Sequence, residues 1–127
     1  MSLAAQFAGE PLIGAQRIST ANPNRDGTGT IATLVSAGLS GCRIDSVSIK
    51  AVGSTSQGMI RFFLLNSGTY RFLTEDQVDP VTASGVDKTH ESYIEFGGGL
   101  ILETGWSLCV STEVADTFDV IAFGGDF

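Results

Sequence analysis

From residue 28 onward the chain alternates short apolar runs with clusters of turn-forming residues, and the runs keep a period of two. Residues 30–36, Thr-Ile-Ala-Thr-Leu-Val-Ser, are rich in β-branched side chains and stop at a turn built on Gly38 and Gly41. In residues 43–51 the apolar phase slips between Ile44 and Val47 and then holds through Ile49 and Ala51, as one inserted bulge residue would make it do. Residues 59–65 are apolar on both phases except at Arg61, the pattern of a central strand covered on both faces. Asn66-Ser67-Gly68 then reads as a three-residue hairpin loop leading into a strand at 69–73. Residues 74–89 read as a long connection carrying a short edge strand around Val78. Further strands are expected at 92–96, 100–102, 106–112 and 118–123, with Gly97-Gly98-Gly99 and the 113–116 turn between them. No window repeats apolar residues at i, i+3, i+4 and i+7 over three turns. About seven to nine short strands and no helix predict an all-β fold, an antiparallel β-sandwich of jelly-roll-like type.

The first 26 residues have a different texture. Pro11, Gly14, Asn22, Pro23, Asn24 and Asp26 interrupt them, and their apolar residues hold no period. The expectation is an extended N-terminal arm over 1–26 followed by a sandwich domain over 27–127. Phe7, Leu12, Ile13 and Ile18 have too few local partners for a core of their own, which makes them candidates for burial against another subunit. Arg17, Trp106 at the start of a strand, and the terminal Phe127 join them as candidate subunit contacts.

Charge and composition narrow the chemistry. Of 127 residues, 14 are acidic and seven are Lys or Arg, giving a net charge of −7. Such a surface repels phosphates and anionic lipid, so neither nucleic acid nor a membrane is expected as partner. The N-terminus lacks a basic, apolar leader pattern, and nowhere do 18 apolar residues run together. Cys42 and Cys109 each lie in an apolar run, as free buried thiols or as one cross-sheet disulfide.

A catalytic or metal centre is not expected. His90 is the single histidine and reads as exposed, and three scattered Cys and His residues do not make a closed zinc site. Glu75, Asp76 and Asp79, and Glu113, Asp116 and Asp119, form acidic clusters. Glycoside hydrolysis would also need stacking aromatics outside the core, and a calcium loop would need a spacing that is absent. Arg25-Asp26-Gly27-Thr28-Gly29 matches no phosphate-binding pattern and reads as a turn. No cofactor is expected.

Several segments resemble a family of small tailed-bacteriophage virion proteins. They are Asp26-Gly27-Thr28-Gly29-Thr30; Arg43-Ile44 with Ile49-Lys50-Ala51 and Gly53; Gly58-Met59-Ile60-Arg61-Phe62-Phe63; Gly105-Trp106-Ser107-Leu108 with Ser111-Thr112; and the ending Thr117-Phe118-Asp119-Val120-Ile121-Ala122-Phe123-Gly124-Gly125-Asp126-Phe127. The resemblance spans residues 26–127 and implies a structural, non-enzymatic role. It leaves the station within the virion open; the acidic surface and small size suit a capsid decoration or cement protein, made in the host cytoplasm and placed on the capsid surface. Its partners would be the major capsid protein and copies of itself, as a homotrimer at local threefold positions. A tail, neck or fibre component is the alternative station, and a carbohydrate-binding sandwich the alternative outside virions.

Overall fold

The computed structural model describes residues 9–127, which are all-β with no helical residue among them. Eight strands follow in order: β1 (Glu10–Ile18), β2 (Ala32–Ser36), β3 (Cys42–Ala51), β4 (Gly58–Asn66), β5 (Thr69–Val78), β6 (Glu91–Leu102), β7 (Trp106–Thr112) and β8 (Phe118–Asp126). They build two four-stranded antiparallel sheets, β1-β8-β3-β6 (sheet A) and β2-β7-β4-β5 (sheet B). The chain changes sheets at every connection except the β4–β5 hairpin, which gives the double Greek key of a jelly roll.

The alternation seen in the sequence fills the space between the sheets. Val47, Ile49 and Ala51 of β3 face Ile60 and Phe62 of β4, Leu108 and Val110 of β7, and Phe118, Val120 and Ala122 of β8 in one buried cluster. Each fully buried Ile, Val, Leu or Phe contributes about 1.5–3 kcal/mol relative to exposure, so this inward phase holds the register of every strand. Asp45 is the extra residue that shifts the phase of β3, since Ile44 pairs with Gly124 and Ser46 with the adjacent Phe123. Opposite the same point β6 loops outward between Glu95 and Leu100. Gly98 and Gly99 take positive φ angles there, of 88° and 91°.

Residues 9–26 depart from the expected arm. Nine residues of β1 pair with β8, from Glu10 opposite Asp126 to Ile18 opposite Phe118, so β1 is an edge strand of the sandwich itself. Its inward phase holds Leu12, Gly14, Gln16 and Ile18, spacing that Pro11 and Gly14 hid from a search for apolar periodicity. Gly14 sits where a β-carbon would meet the backbone of Leu34, and Gln16 Nε2 donates to Thr33 O at 3.0 Å. β1 is thereby closed against β2.

Residues 19–31 then cross the outer face of sheet B. Asn22 N donates to Thr112 O at 2.8 Å, and its buried side-chain amide donates to Thr28 O and Thr30 O at 3.0 Å each, folding the strap on itself. Two details of the hairpin region also differ from expectation. Asn66 pairs with Thr69, leaving a two-residue turn in which Ser67 and Gly68 both have positive φ, 51° and 77°. β5 runs on unbroken to Val78, with Leu73 as the bulge residue between the Phe62–Thr74 and Phe63–Phe72 pairs.

Candidate subunit-contact surface

The register of sheet A sets out its outward side chains in rows. Ile13, Phe123, Ser46 and Glu95 form one row across β1, β8, β3 and β6; Ala15, Ile121, Ser48 and Tyr93 form the next; Arg17, Asp119, Lys50 and Glu91 form the third. The β1–β8 half of this face is apolar and ends on an ion pair, whereas the β3–β6 half is polar. Ile13 is 67% exposed and Phe123 41%. Arg17 grips Asp119 with two bonds, Nε to Oδ1 at 2.8 Å and Nη2 to Oδ2 at 2.9 Å. These hydrogen bonds hold the Asp119 carboxyl below its ordinary pKa and raise that of Arg17. Between the second and third rows the Tyr93 hydroxyl donates to Glu91 Oε1 at 2.8 Å, which lowers the Glu91 pKa and raises that of Tyr93.

A second apolar area lies at one end of the sandwich. Leu39, in the β2–β3 turn, is 97% exposed, and Ile101, on the outward phase of β6, is 60% exposed. Ile101, Leu102 and Glu103 form the shared wall of two hollows of about 300 Å³ each, one closed by Leu64 and Trp106 and the other by Leu39 and Phe127. Phe127 is held there by its own N–H, which donates to Gly41 O at 3.2 Å. Among the described residues, five of the large hydrophobics counted as exposed lie on this end or on the outer face of sheet A: Ile13, Leu39, Tyr93, Ile101 and Phe123. The others are Val52, Phe72 and Val86.

The residues picked out from sequence fall in different places. Phe7 lies outside the described residues. Leu12 packs partly buried against the chain's own core, and Ile18 is buried in it, so the chain covers these two itself. Ile13 and Arg17 project from the outer face of sheet A. Trp106 and Phe127 border two adjoining hollows at the end, although 21 positions separate them in sequence. Sequence reasoning missed Ile121, Phe123, Leu39 and Ile101. A signal existed for the first two, because β8 is apolar on both phases except at Asp119, the pattern that was noticed in β4.

Several of the groups that had suggested chemistry are held in structural contacts. Arg61, 1% exposed on the outer face of sheet B, lies 3.2 Å from Glu75 and 3.7 Å from Glu113, while Arg25 also reaches Glu75 at 3.2 Å. Asp116 accepts from Ser56 N at 2.8 Å, and Asp26 accepts from the backbone and hydroxyl of Thr28, which lowers its pKa. His90 is buried rather than exposed, with Nε2 3.2 Å from Ser92 Oγ, because it backs onto the end of β3. Cys42 faces the core and Cys109 the outer side of sheet B; both thiols are free, and burial raises their pKa. Their opposed directions set the disulfide alternative aside. Among the described residues no three His, Cys, Asp or Glu side chains gather as a metal site would require.

No protein-family model and no curated protein matches the chain. Among solved structures it is similar to a chain of the "Structure of infectious bursal disease virus Gx strain", at 12% identity and a TM-score of 0.36. That alignment covers 93% of this chain and 34% of the other, so this chain spans about a third of its length.

Proposed function

We propose that this protein is a structural virion component that docks on other protein subunits, as a decoration or cement protein on the outer shell of a tailed-phage capsid. The observation that carries the docking reading is the apolar end of the sandwich, where Leu39 and Ile101 stand exposed beside the two hollows lined by Trp106 and Phe127. An aromatic anchored at the rim of an apolar hollow is the usual centre of a protein–protein contact. The tailed-phage setting comes from the sequence resemblance, whose quoted segments include Trp106 and Phe127. The partner in this reading is the major capsid protein. Each bound copy lowers the free energy of the closed shell by its own binding free energy, and many copies act together.

The test is co-sedimentation with empty phage shells, comparing the wild-type chain with the double variant Leu39→Asp, Ile101→Asp. Both side chains project into solvent, so the variant is expected to keep the wild-type melting temperature. The expected result is shell binding by the wild type and at least about tenfold weaker binding by the variant. Equal binding would remove the end of the sandwich as the contact. A wild-type chain that ignores shells but sediments with tails moves the station to the tail or neck. One that ignores both and gains thermal stability from a glycan overturns the virion reading in favour of a carbohydrate-binding sandwich.

A further inference from the structure

We infer that the β1–β8 half of the outer face of sheet A pairs with the same half of a second copy of this chain, about a twofold axis running parallel to the strands between β1 and β8. The inference concerns a different surface from the apolar end and goes beyond the docking reading.

The register carries it. A twofold axis between β1 and β8 exchanges the two columns of side chains, so each residue of one column comes to lie over the partner copy's residue from the other. Ile13 then lies over Phe123, Ala15 over Ile121, and Arg17 over Asp119, each in both directions. Apolar rows meet apolar rows, and the third row stacks two Arg17–Asp119 pairs with opposite charges facing. An isologous contact requires this self-complementarity of one patch with itself. Packed sheets whose strands cross at about 30° are compatible with such an axis along their mean direction.

The chain's net charge of −7 opposes self-association across most of its surface. This half-face escapes that repulsion because its one acid, Asp119, is matched by its one base, Arg17. Moving the axis toward β3 would instead set Ile13 over Glu95 and Phe123 over Ser46, leaving the apolar side chains against polar ones. A shallow depression of about 300 Å³ between Ala15, Arg17, Asp119 and Ile121 gives the facing side chains room to interlock. The pairing is twofold, unlike the trimer expected of a cement protein.

The test uses charge swaps that fail alone and succeed together, read by sedimentation equilibrium of the full chain. R17D makes the β1–β8 half of the row all acidic and D119R makes it all basic, so each variant repels its own copies while fitting the other. The wild type is expected to form dimers, each single variant to associate at least about tenfold more weakly, and an equimolar mixture to recover heterodimers close to wild-type strength. Both side chains are exposed, and unchanged melting temperatures of the variants at low concentration separate lost pairing from lost folding. A wild-type chain that stays monomeric or forms trimers overturns the inference, as does a mixture that recovers nothing. Shell binding keeps this test apart from the docking reading: R17D and D119R leave the apolar end intact, and the Leu39→Asp, Ile101→Asp variant leaves the β1–β8 face intact.

Discussion

The outer faces of the two sheets meet water in opposite ways. On sheet B the outward phase of β4, Arg61 and Phe63, is 1% and 0% exposed, as deep as any residue between the sheets. The strap of residues 19–31, Glu75 and Glu113 seal Arg61, and Phe63 is covered by Tyr70 and Phe72, with ring centroids 6.3 and 5.6 Å away. On sheet A the outward phase of β8, Ile121 and Phe123, has no such cover among the described residues, and Phe123 is 41% exposed. Both central strands carry apolar residues on both phases, interrupted at Arg61 in β4 and at Asp119 in β8. Residues 19–31 close one face, and the other is the face that the inferred twofold pairing would cover.

The sharpest way to break that contrast is to truncate one aromatic on each face. Phe63→Ala removes a fully buried ring and is expected to cost about 3–5 kcal/mol, measured by urea unfolding. Phe123→Ala removes a ring already half in water and is expected to cost under about 1 kcal/mol in the monomer, while weakening association. Equal losses of monomer stability would show that the two faces do not differ in cover.

The next effect tests whether β1 belongs to the sandwich or hangs from it. Gly14→Ala would push a β-carbon into the backbone of Leu34 and the side chain of Val35. It is expected to destabilise the fold by about 2–3 kcal/mol, as overpacking against backbone does, whereas Gly38→Ala, which meets nothing, should be close to neutral. A neutral Gly14→Ala would return β1 to the status of a detachable arm. Smaller again is Asn22→Ala, which strips the strap of its two amide donations to Thr28 O and Thr30 O. A loss of about 1–2 kcal/mol is expected, accompanied by faster hydrogen exchange on the outer face of sheet B and unchanged exchange on sheet A.

Which parts of this arrangement the sequence revealed follows from the range of the interactions. The strands from β2 to β8 were legible in place because alternation is local, although β5 runs on through residues read as a connection and β6 joins two segments read as separate strands; the bulge at Asp45 was legible because a single extra residue leaves a visible phase slip. β1 was not. Its inward residues are Leu12, Gly14, Gln16 and Ile18, and Gly14 and Gln16 are there for contacts with Leu34 and Thr33 about 20 positions away. The strap was hidden for the same reason, since its anchors, Thr112 and Arg61, are distant in sequence. Of the contact residues, Trp106 and Phe127 stood out singly, but only the fold shows that they border adjoining hollows. Ile121 and Phe123 did not stand out because a strand apolar on both phases does not say which phase faces inward.

The smallest expected effect lies in the Arg17–Asp119 pair. Hydrogen bonds from Arg17 hold the folded-state pKa of Asp119 below that of an unfolded aspartate, about 3.9. A depressed acid contributes stability that is complete above the unfolded value and is lost as pH falls through the lower folded value. The window is therefore below about pH 4, and because both groups are exposed the loss in the monomer should sit near the limit of a denaturation measurement. The carboxyl carbon resonance of Asp119 reports it more directly. In dilute protein its titration midpoint should lie below the ordinary value and return toward it in Arg17→Gln; an unshifted midpoint in the wild type would remove the ion pair. Raising the protein concentration then sharpens the comparison of the two faces. If the β1–β8 face pairs as inferred, a second copy's Arg17 arrives over Asp119 and the midpoint falls further with concentration.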